Sequence, residues 1–280
     1  MASLYQPDSV TWRVNRESAL LLAAGRSLLM QLAHPAVAAG VADHSDFRRR
    51  PLARLLRTLQ LSLALSFGTA EETQEAARAI NRVHRRIHGP GYRATDPVLL
   101  LWVHATLIDS ALTAYSTFVQ PLEVAEREAY FEEAKRVGPL LGLAETAYPP
   151  HLAAFEDYLR SMLEGPELVV DARARALAAA VLHPLRLVPG VAWFPFQAVT
   201  AGLLPQRLRE AYGLPWALPE RAFFAALARG LPPLLPLLPT PLRTMPQAQA
   251  RVAASRDHPH RQEAREWLSR ARRKRRGTAT

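Results

Sequence analysis

The chain has 280 residues, with 35 Lys plus Arg, 25 Asp plus Glu and no Cys. This length suits one large domain or two small ones, and a hydrophobic fraction of 49% is enough to build a core. The absence of Cys excludes disulfides, thiolate zinc sites, Cys-ligated haem and thiol catalysis, so a bound metal would need His or carboxylate ligands.

The formal net charge of +10 comes almost entirely from Arg, because Lys occurs only at Lys135 and Lys274. Such a charge is typical of a solvated basic surface. The densest basic cluster, residues 272–276, could contact acidic lipid headgroups or nucleic acid. No aromatic residues alternate with these bases, so we expect no specific nucleic-acid partner.

The N-terminal sequence MASLYQPDSV has no basic region followed by an apolar run, which indicates no signal peptide. Residues 187–206 carry no charge over about the length of a membrane span, but Pro189, Gly190, Pro195 and Pro205 would break a lipid-exposed helix. We therefore expect this stretch to be buried or interfacial. The prediction is a cytoplasmic protein that could associate with a membrane surface.

Hydrophobic periodicity is helical almost throughout and predicts an all-α fold. Thr69 and Glu72 have capping-box spacing, Gly89 could end that helix in a left-handed conformation, and Asp96 followed by Pro97 is a typical helix start. The predicted helices span 16–33 (capped by Asn15 and stopped by His34-Pro35), 51–67, 70–88, 97–118, 121–136, 150–164, 171–183, 205–212, 219–229 and 259–275.

Residues 231–242, LPPLLPLLPTPL, hold five prolines and predict an extended apolar connector without a regular helix. Such a segment must pack on its own protein, on a lipid surface or on a lipophilic ligand. The predicted organisation is one helical domain over 1–245, followed by a C-terminal helix and basic tail over 246–280.

Imidazole is the best nitrogen ligand left once Cys is absent. On the predicted helix 70–88, His84 lies at the edge of an apolar stripe and His88 lies further toward solvent. These two residues could chelate zinc, but Arg85 stands where a zinc peptidase needs its Glu base, which disfavours that reading. The stripe consists of Ala76, Ile80, Val83 and Ile87. Five of the nine His residues fall in the first 104 positions: His34, His44, His84, His88 and His104.

Helix 51–67 presents two faces. Its main core face is predicted to hold Leu52, Leu55, Leu56, Leu59 and Leu63. The other face holds Arg54, Thr58, Leu61 and Leu65, which is unusual for a solvent surface and typical of a pocket wall. Arg54 there could hold a carboxylate or a bound oxygen species, or it could simply extend to solvent. On helix 97–118, His104 shares an apolar face and could be a structural residue or part of a site.

Four linked segments carry a family resemblance. They are QLAHPAVAAGVADHSDF at 31–47, R-x-x-R-T at 54–58, V-H-x-x-I-x-G at 83–89 and DPVLLLWVHATL at 96–107. In this order and spacing they resemble the family that includes the latex-clearing rubber oxygenases and the MpaB-type membrane-bound oxygenase of mycophenolic acid synthesis. The resemblance covers about residues 15–230.

This resemblance implies a globin-like helical core around a haem b pocket in the 1–245 domain. It implies that His84 is the axial iron ligand and that Arg54 and Thr58 lie near the distal side. Arg57 stands where the rubber enzymes have Lys. Their Glu base has no evident counterpart before Arg54, where His34 and His44 are the polar candidates.

The sequence thus predicts a haem-b-dependent oxygenase that acts with dioxygen on a hydrophobic, unsaturated or isoprenoid-like substrate. The catalytic candidates are Arg54, Thr58, His44 and His34. The cofactor-binding candidates are His84, His104, Arg57, Leu61 and Leu65. Two alternatives remain: a non-catalytic haem or lipophile carrier, and a peripheral membrane module that uses 187–206, 231–242 and the basic tail.

Overall fold

The regular structure is almost entirely α-helical, as the sequence predicts. A computed structural model describes residues 3–44, 51–185 and 187–254, with residues 51–55 described in backbone alone. The predicted helix over 259–275 lies outside the described residues. The helices and strands are α1 (Val10–Asn15), α2 (Ala24–Leu32), α3 (Pro35–His44), α4 (Pro51–Phe67), α5 (Ala70–His84), β1 (His88–Gly89), β2 (Tyr92–Arg93), α6 (Pro97–Phe118), α7 (Val124–Ala134), α8 (Leu152–Glu164), α9 (Ala172–Leu182), α10 (Phe194–Leu203), α11 (Gln206–Ala211), α12 (Leu218–Leu234) and α13 (Thr240–Arg243).

Short 3-10 helices complete the connections, and the chain is helical again over 246–254. The 3-10 helices are Ser18–Ala23, Lys135–Val137, Pro139–Leu141, Glu145–Ala147, Gly190–Trp193 and Leu235–Leu237.

Helix α6 is the central element of the core. Asp96 accepts a hydrogen bond from the Val98 amide (2.9 Å) and Pro97 fills the first turn, so the helix begins where the sequence predicts. It packs against α1, α2, α7, α12 and the 3-10 helix Ser18–Ala23. By length and hydropathy alone α6 could cross a membrane. Its burial against so many neighbours is, however, typical of a core helix. Its completely buried residues are Trp102, Ala105, Thr106, Ala114 and Phe118.

The start of α5 is also confirmed, but two other predicted helix ends are wrong. The Thr69 hydroxyl accepts a hydrogen bond from the Glu72 amide, and the Glu72 carboxylate accepts one from the Thr69 amide. Asn15 ends α1 instead of capping the next helix, because its side chain is bound to the Tyr130 hydroxyl (3.0 Å). Gly89 does not end α5 either. The helix stops at His84, and Gly89 pairs with Tyr92 in a small antiparallel hairpin.

The prediction of an extended connector without a regular helix at 231–242 is also wrong. Helix α12 continues through Pro232 and Pro233 to Leu234, a 3-10 turn covers Leu235–Leu237, and α13 follows. Proline fixes φ near the helical value, so the backbone stays helical through Pro232 and Pro233, although each lacks the N–H that would bond a carbonyl one turn earlier.

Arg26 joins three helices inside the core. From α2 its guanidinium donates to Asp109 Oδ2 (2.6 Å) and Ser110 Oγ (2.7 Å) of α6, and to the Leu203 carbonyl (2.9 Å) at the end of α10. Arg26 is buried, whereas the Asp109 side chain keeps a partly exposed edge. Gly25 lies beside this network, where a Cβ atom would meet the buried Thr200 hydroxyl of α10 at 2.1 Å. The absence of a side chain at Gly25 therefore permits the close approach of α2 and α10.

The two ends of the described chain are held together by a buried ion pair. The Glu17 carboxylate accepts hydrogen bonds from Arg243 Nε (3.0 Å) and Nη2 (3.3 Å). Glu17 also forms an isolated β-bridge with Thr244, and the Met245 amide donates to the Arg16 carbonyl (2.7 Å). Because the Glu17 side chain is only 1% exposed, its carboxylate has lost its hydration and depends on these partners to compensate for that loss.

We expect Arg243→Met to lower the free energy of unfolding by about 2 kcal/mol, because it leaves a buried carboxylate with only the more distant Arg16 guanidinium, 3.5 Å away. Urea unfolding would measure the loss, and hydrogen exchange would show earlier opening of residues 244–248. Arg160→Met, which removes an exposed i,i+3 pair with Asp157, is the control and should change stability by less than about 1 kcal/mol.

Candidate functional site

Helices α4 and α5 pack as a hairpin, and the side chains of the predicted pocket wall lie at different depths along it. Thr58 and Arg57 are exposed, and Leu61 is partly buried. Leu65 is buried in one cluster with Leu63 and Phe67. The side chain of Arg54 lies outside the described residues. The prediction that Leu56 belongs to the main core face is wrong, because it is 49% exposed.

His84 is the last residue of α5 and is half-buried. This end of the helix rests on the 3-10 helix Pro139–Leu141, where the Asn81 side-chain amide donates to the Leu140 carbonyl (2.8 Å). The neighbouring Val83, predicted to be in the apolar stripe, is 45% exposed. Three exposed cationic residues are close to His84 in the sequence: Arg82 precedes it, and Arg85 and Arg86 follow it. His84 is thus a partly shielded imidazole next to three exposed Arg residues in the sequence.

A polar cluster links the end of α3 to the hairpin that follows His84. His44 Nε2 donates to the His88 carbonyl (2.8 Å), and the Tyr92 hydroxyl donates to Asp43 Oδ2 (2.8 Å). The rings of His44 and His88 are exposed. Because Nε2 donates to this carbonyl, Nδ1 is the ring nitrogen of His44 that can act as an acceptor. Gly91 permits the tight turn of this hairpin through its positive φ of 77°.

His34 lies between α2 and α3, and its Nδ1 accepts a hydrogen bond from the Ala36 amide (3.2 Å). It therefore caps the first turn of α3. Desolvation lowers the pKa of His34, more than the carboxylates of Asp96 and Glu167 raise it. The ring is thus neutral at pH 7, with its proton on Nε2.

His104 is held by a tyrosine that the sequence analysis did not identify. Its Nδ1 shares a 2.5 Å hydrogen bond with the Tyr148 hydroxyl. Burial lowers the pKa of His104 to about 4 and raises the pKa of Tyr148, so both side chains are neutral at pH 7. Tyr148 follows the 3-10 helix Glu145–Ala147, a segment without a helical or strand period that could have marked it.

We expect His104 to make the fold sensitive to acid. Its pKa is lower in the folded chain than in the unfolded chain, so between pH 6.5 and 4 the unfolded state binds more protons. The contribution is complete above pH 6.5 and is lost as the pH falls toward 4. It amounts to at most about 3 kcal/mol, since the ring keeps an exposed edge.

Urea unfolding at a series of pH values would measure this slope. His104→Gln should flatten it between pH 4 and 6.5, whereas His88→Gln, at an exposed ring, should not. An unchanged slope in His104→Gln would contradict the assignment.

A cavity of about 750 Å³ lies between α4, α5 and residues 247–254. Its walls combine apolar and charged side chains, among them Phe67, Ala76, Arg78 and Arg82. Of the predicted site residues Leu61 lines this cavity, and His84 does not. The cavity therefore lies beside the predicted haem site and does not coincide with it.

The donor chemistry near His84 suits a group held through one protein nitrogen. Within residues 3–44, 51–185 and 187–254, no three His or carboxylate side chains are grouped closely enough to hold a bare metal ion. A haem iron needs only one imidazole from the protein, with cations for its propionates. His84 and the exposed Arg residues next to it in the sequence are groups of these two types.

Sequence comparisons give a consistent family assignment. Residues 12–232 match the family described as "ER-bound oxygenase mpaB/B'/Rubber oxygenase, catalytic domain". Two mycobacterial proteins, Uncharacterized protein Rv2237 of Mycobacterium tuberculosis and Uncharacterized protein Mb2261 of Mycobacterium bovis, are each 30% identical over 220 residues, which is 73% of this chain and 84% of theirs. No solved structure gives a significant match. The chain therefore belongs to the mpaB/rubber oxygenase catalytic-domain family, and it carries an oxygenase-type catalytic domain.

Proposed function

We propose that this protein is a haem-b-dependent oxygenase that acts on a hydrophobic, unsaturated or isoprenoid-like substrate, with His84 as the axial iron ligand. The observation that carries the proposal is the half-buried imidazole of His84 at the end of α5, within the segment that matches the oxygenase family. A globin-like arrangement of the core around the haem is part of this proposal.

The residues around His84 support it through their chemistry. An imidazole at a helix end is a suitable axial ligand, and the exposed Arg82, Arg85 and Arg86, next to it in the sequence, would be candidates to neutralise the propionates. When bound, the haem would supply the iron that activates dioxygen.

The proton and charge steps would fall to this chain's own side chains. Arg54 would stabilise negative charge through its guanidinium, and Thr58 would pass a proton through its hydroxyl. His34 is neutral with a protonated Nε2 and could donate a hydrogen bond, whereas His44 has Nδ1 left to accept a proton. Arg57, where the rubber enzymes have Lys, would add a second positive charge.

Four further residues would support the site without taking part in proton transfer. The hydrogen bond between His104 and Tyr148 would hold α6 in position. Leu61 and Leu65 would give α4 an apolar wall for the macrocycle or the substrate.

The test is spectroscopic and then kinetic. Purified protein reconstituted with haem should give a Soret band and a b-type pyridine haemochrome, and it should consume oxygen when given an unsaturated or isoprenoid lipid. A Soret band without oxygen consumption would favour the carrier function. Failure to bind haem would contradict the proposal.

A further inference from the structure

The segment that the sequence predicts as a connector forms an exposed, ordered apolar surface. We call residues 231–242 the proline–leucine surface. Leu235 and, just beyond the segment, Met245 are buried and anchor it to the body of the protein. Four leucines of this surface are exposed: Leu234 (55%), Leu237 (77%), Leu238 (39%) and Leu242 (66%).

The geometry of this surface limits how it can be covered. The last turn of α12, the 3-10 turn and α13 follow one another without a long loop, and prolines stiffen each junction. The leucines are therefore held in place and cannot fold back onto the core. Soluble proteins rarely leave such a run of leucines in water, so a partner is expected.

The charge of the chain around the surface indicates which partner. From residue 221 to 254 there is no Asp or Glu, while Arg221, Arg229 and Arg251 are present in addition to Arg243, whose guanidinium pairs with Glu17. The whole chain carries a formal net charge of +10. Exposed leucines in an acid-free, Arg-containing segment are complementary to an anionic lipid surface, where apolar side chains enter the acyl boundary and cations meet headgroups.

A second uncharged stretch has the same character. Leu187 is fully exposed and Val191 is 81% exposed, and no acidic residue occurs from 172 to 209. This stretch leads into α10, which packs against α12, with the rings of Phe194 and Phe223 5.6 Å apart. The helix that carries the proline–leucine surface is thus packed directly against the helix that follows the other exposed apolar stretch.

We propose that the proline–leucine surface docks on an anionic bilayer and holds the protein peripherally at the membrane. Binding combines the burial of Leu234, Leu237 and Leu242 with attraction between Arg side chains and acidic headgroups. This proposal goes beyond the oxygenase function, because it uses none of the residues placed in that site.

Vesicle co-sedimentation of the full chain tests it. Wild type should bind vesicles of phosphatidylcholine and phosphatidylglycerol in equal parts, bind more weakly to pure phosphatidylcholine, and lose affinity as salt is raised. The triple variant Leu234→Ser, Leu237→Ser and Leu242→Ser should bind the anionic vesicles at least about tenfold more weakly. The matched control is Val124→Ser on α7, because Val124 is 74% exposed but stands next to Glu123 and near Glu126. It should bind as wild type does.

Three results would overturn the proposal. Wild type could fail to bind the anionic vesicles, or the triple variant could bind as tightly as wild type, which would place binding elsewhere, for example in the basic C-terminal segment. Size-exclusion chromatography could instead show a wild-type dimer that the triple variant converts to monomer without any vesicle binding, which would make the surface a contact between two copies. Circular dichroism and a thermal melt of the triple variant would confirm that it folds.

Discussion

His84→Gly is expected to weaken haem binding by at least about a hundredfold, which corresponds to about 3 kcal/mol. The reason is that the imidazole would contribute a direct bond to iron, whereas apolar and cationic contacts alone would hold the porphyrin without fixing the metal. Titration of haem into apoprotein, followed at the Soret band, measures the affinity without any need for turnover. Because this measurement of haem affinity needs no substrate, its result does not depend on which lipid the enzyme accepts.

The matched control is His88→Gly, four residues along the chain, because His88 is exposed on the first strand of the hairpin. It should retain wild-type affinity. Free imidazole added to His84→Gly should restore part of the Soret spectrum, since it can occupy the space left by the ring. Equal losses in both variants, or an unchanged spectrum in His84→Gly, would rule out His84 as the ligand.

Arg26→Met is expected to lower the free energy of unfolding by about 3–5 kcal/mol. The substitution keeps much of the side-chain volume but leaves Asp109, Ser110 and the Leu203 carbonyl without their common donor. An unpaired, mostly buried carboxylate and two buried acceptors destabilise the fold, because they have given up hydrogen bonds to water without gaining a partner in the protein. Urea unfolding monitored by circular dichroism gives the change directly.

A double-mutant cycle separates the pair from the rest of the network. Asp109→Asn alone should cost less than Arg26→Met, because the Asp109 side chain is 24% exposed and the Arg keeps two neutral acceptors. Combining both substitutions should recover part of the loss, since the double variant no longer buries an unpaired carboxylate. Strict additivity of the two losses would show that the ion pair contributes nothing of its own.

Some helix starts were predictable, and others were hidden by a proline that was interpreted as a break. Pro51 and Pro97 begin α4 and α6 as predicted. Thr69 and Asp96 each mark a helix that begins as predicted. Pro35 was interpreted as the stop of one helix, yet it also begins α3, because its fixed φ suits the first turn. Pro195, interpreted as a break in an uncharged stretch, lies in the first turn of α10 for the same reason.

Periodicity predicts which face of a helix is apolar, but it does not predict how much of that face a neighbour covers. Leu56 and Val83 both fit an apolar stripe and are both about half exposed, because the elements that pack against α4 and α5 do not cover their positions. His104 was recognised as a buried imidazole, but its partner Tyr148 lies 44 residues away in an irregular segment. Pairings of this kind depend on tertiary packing, which no local pattern encodes.

The ion pair between Glu17 and Arg243 joins residues 226 positions apart. During synthesis the N-terminal helices leave the ribosome long before Arg243 does, so the Glu17 carboxylate must remain hydrated until the whole family domain, residues 12–232, has been translated. A nascent chain can therefore pack α2 against α6 early, but it cannot bury Glu17 until Arg243 is present. Completion of the native state is thereby delayed until the C-terminal segment arrives, which would make a prematurely terminated chain recognisable to quality-control proteases through its open N-terminal end.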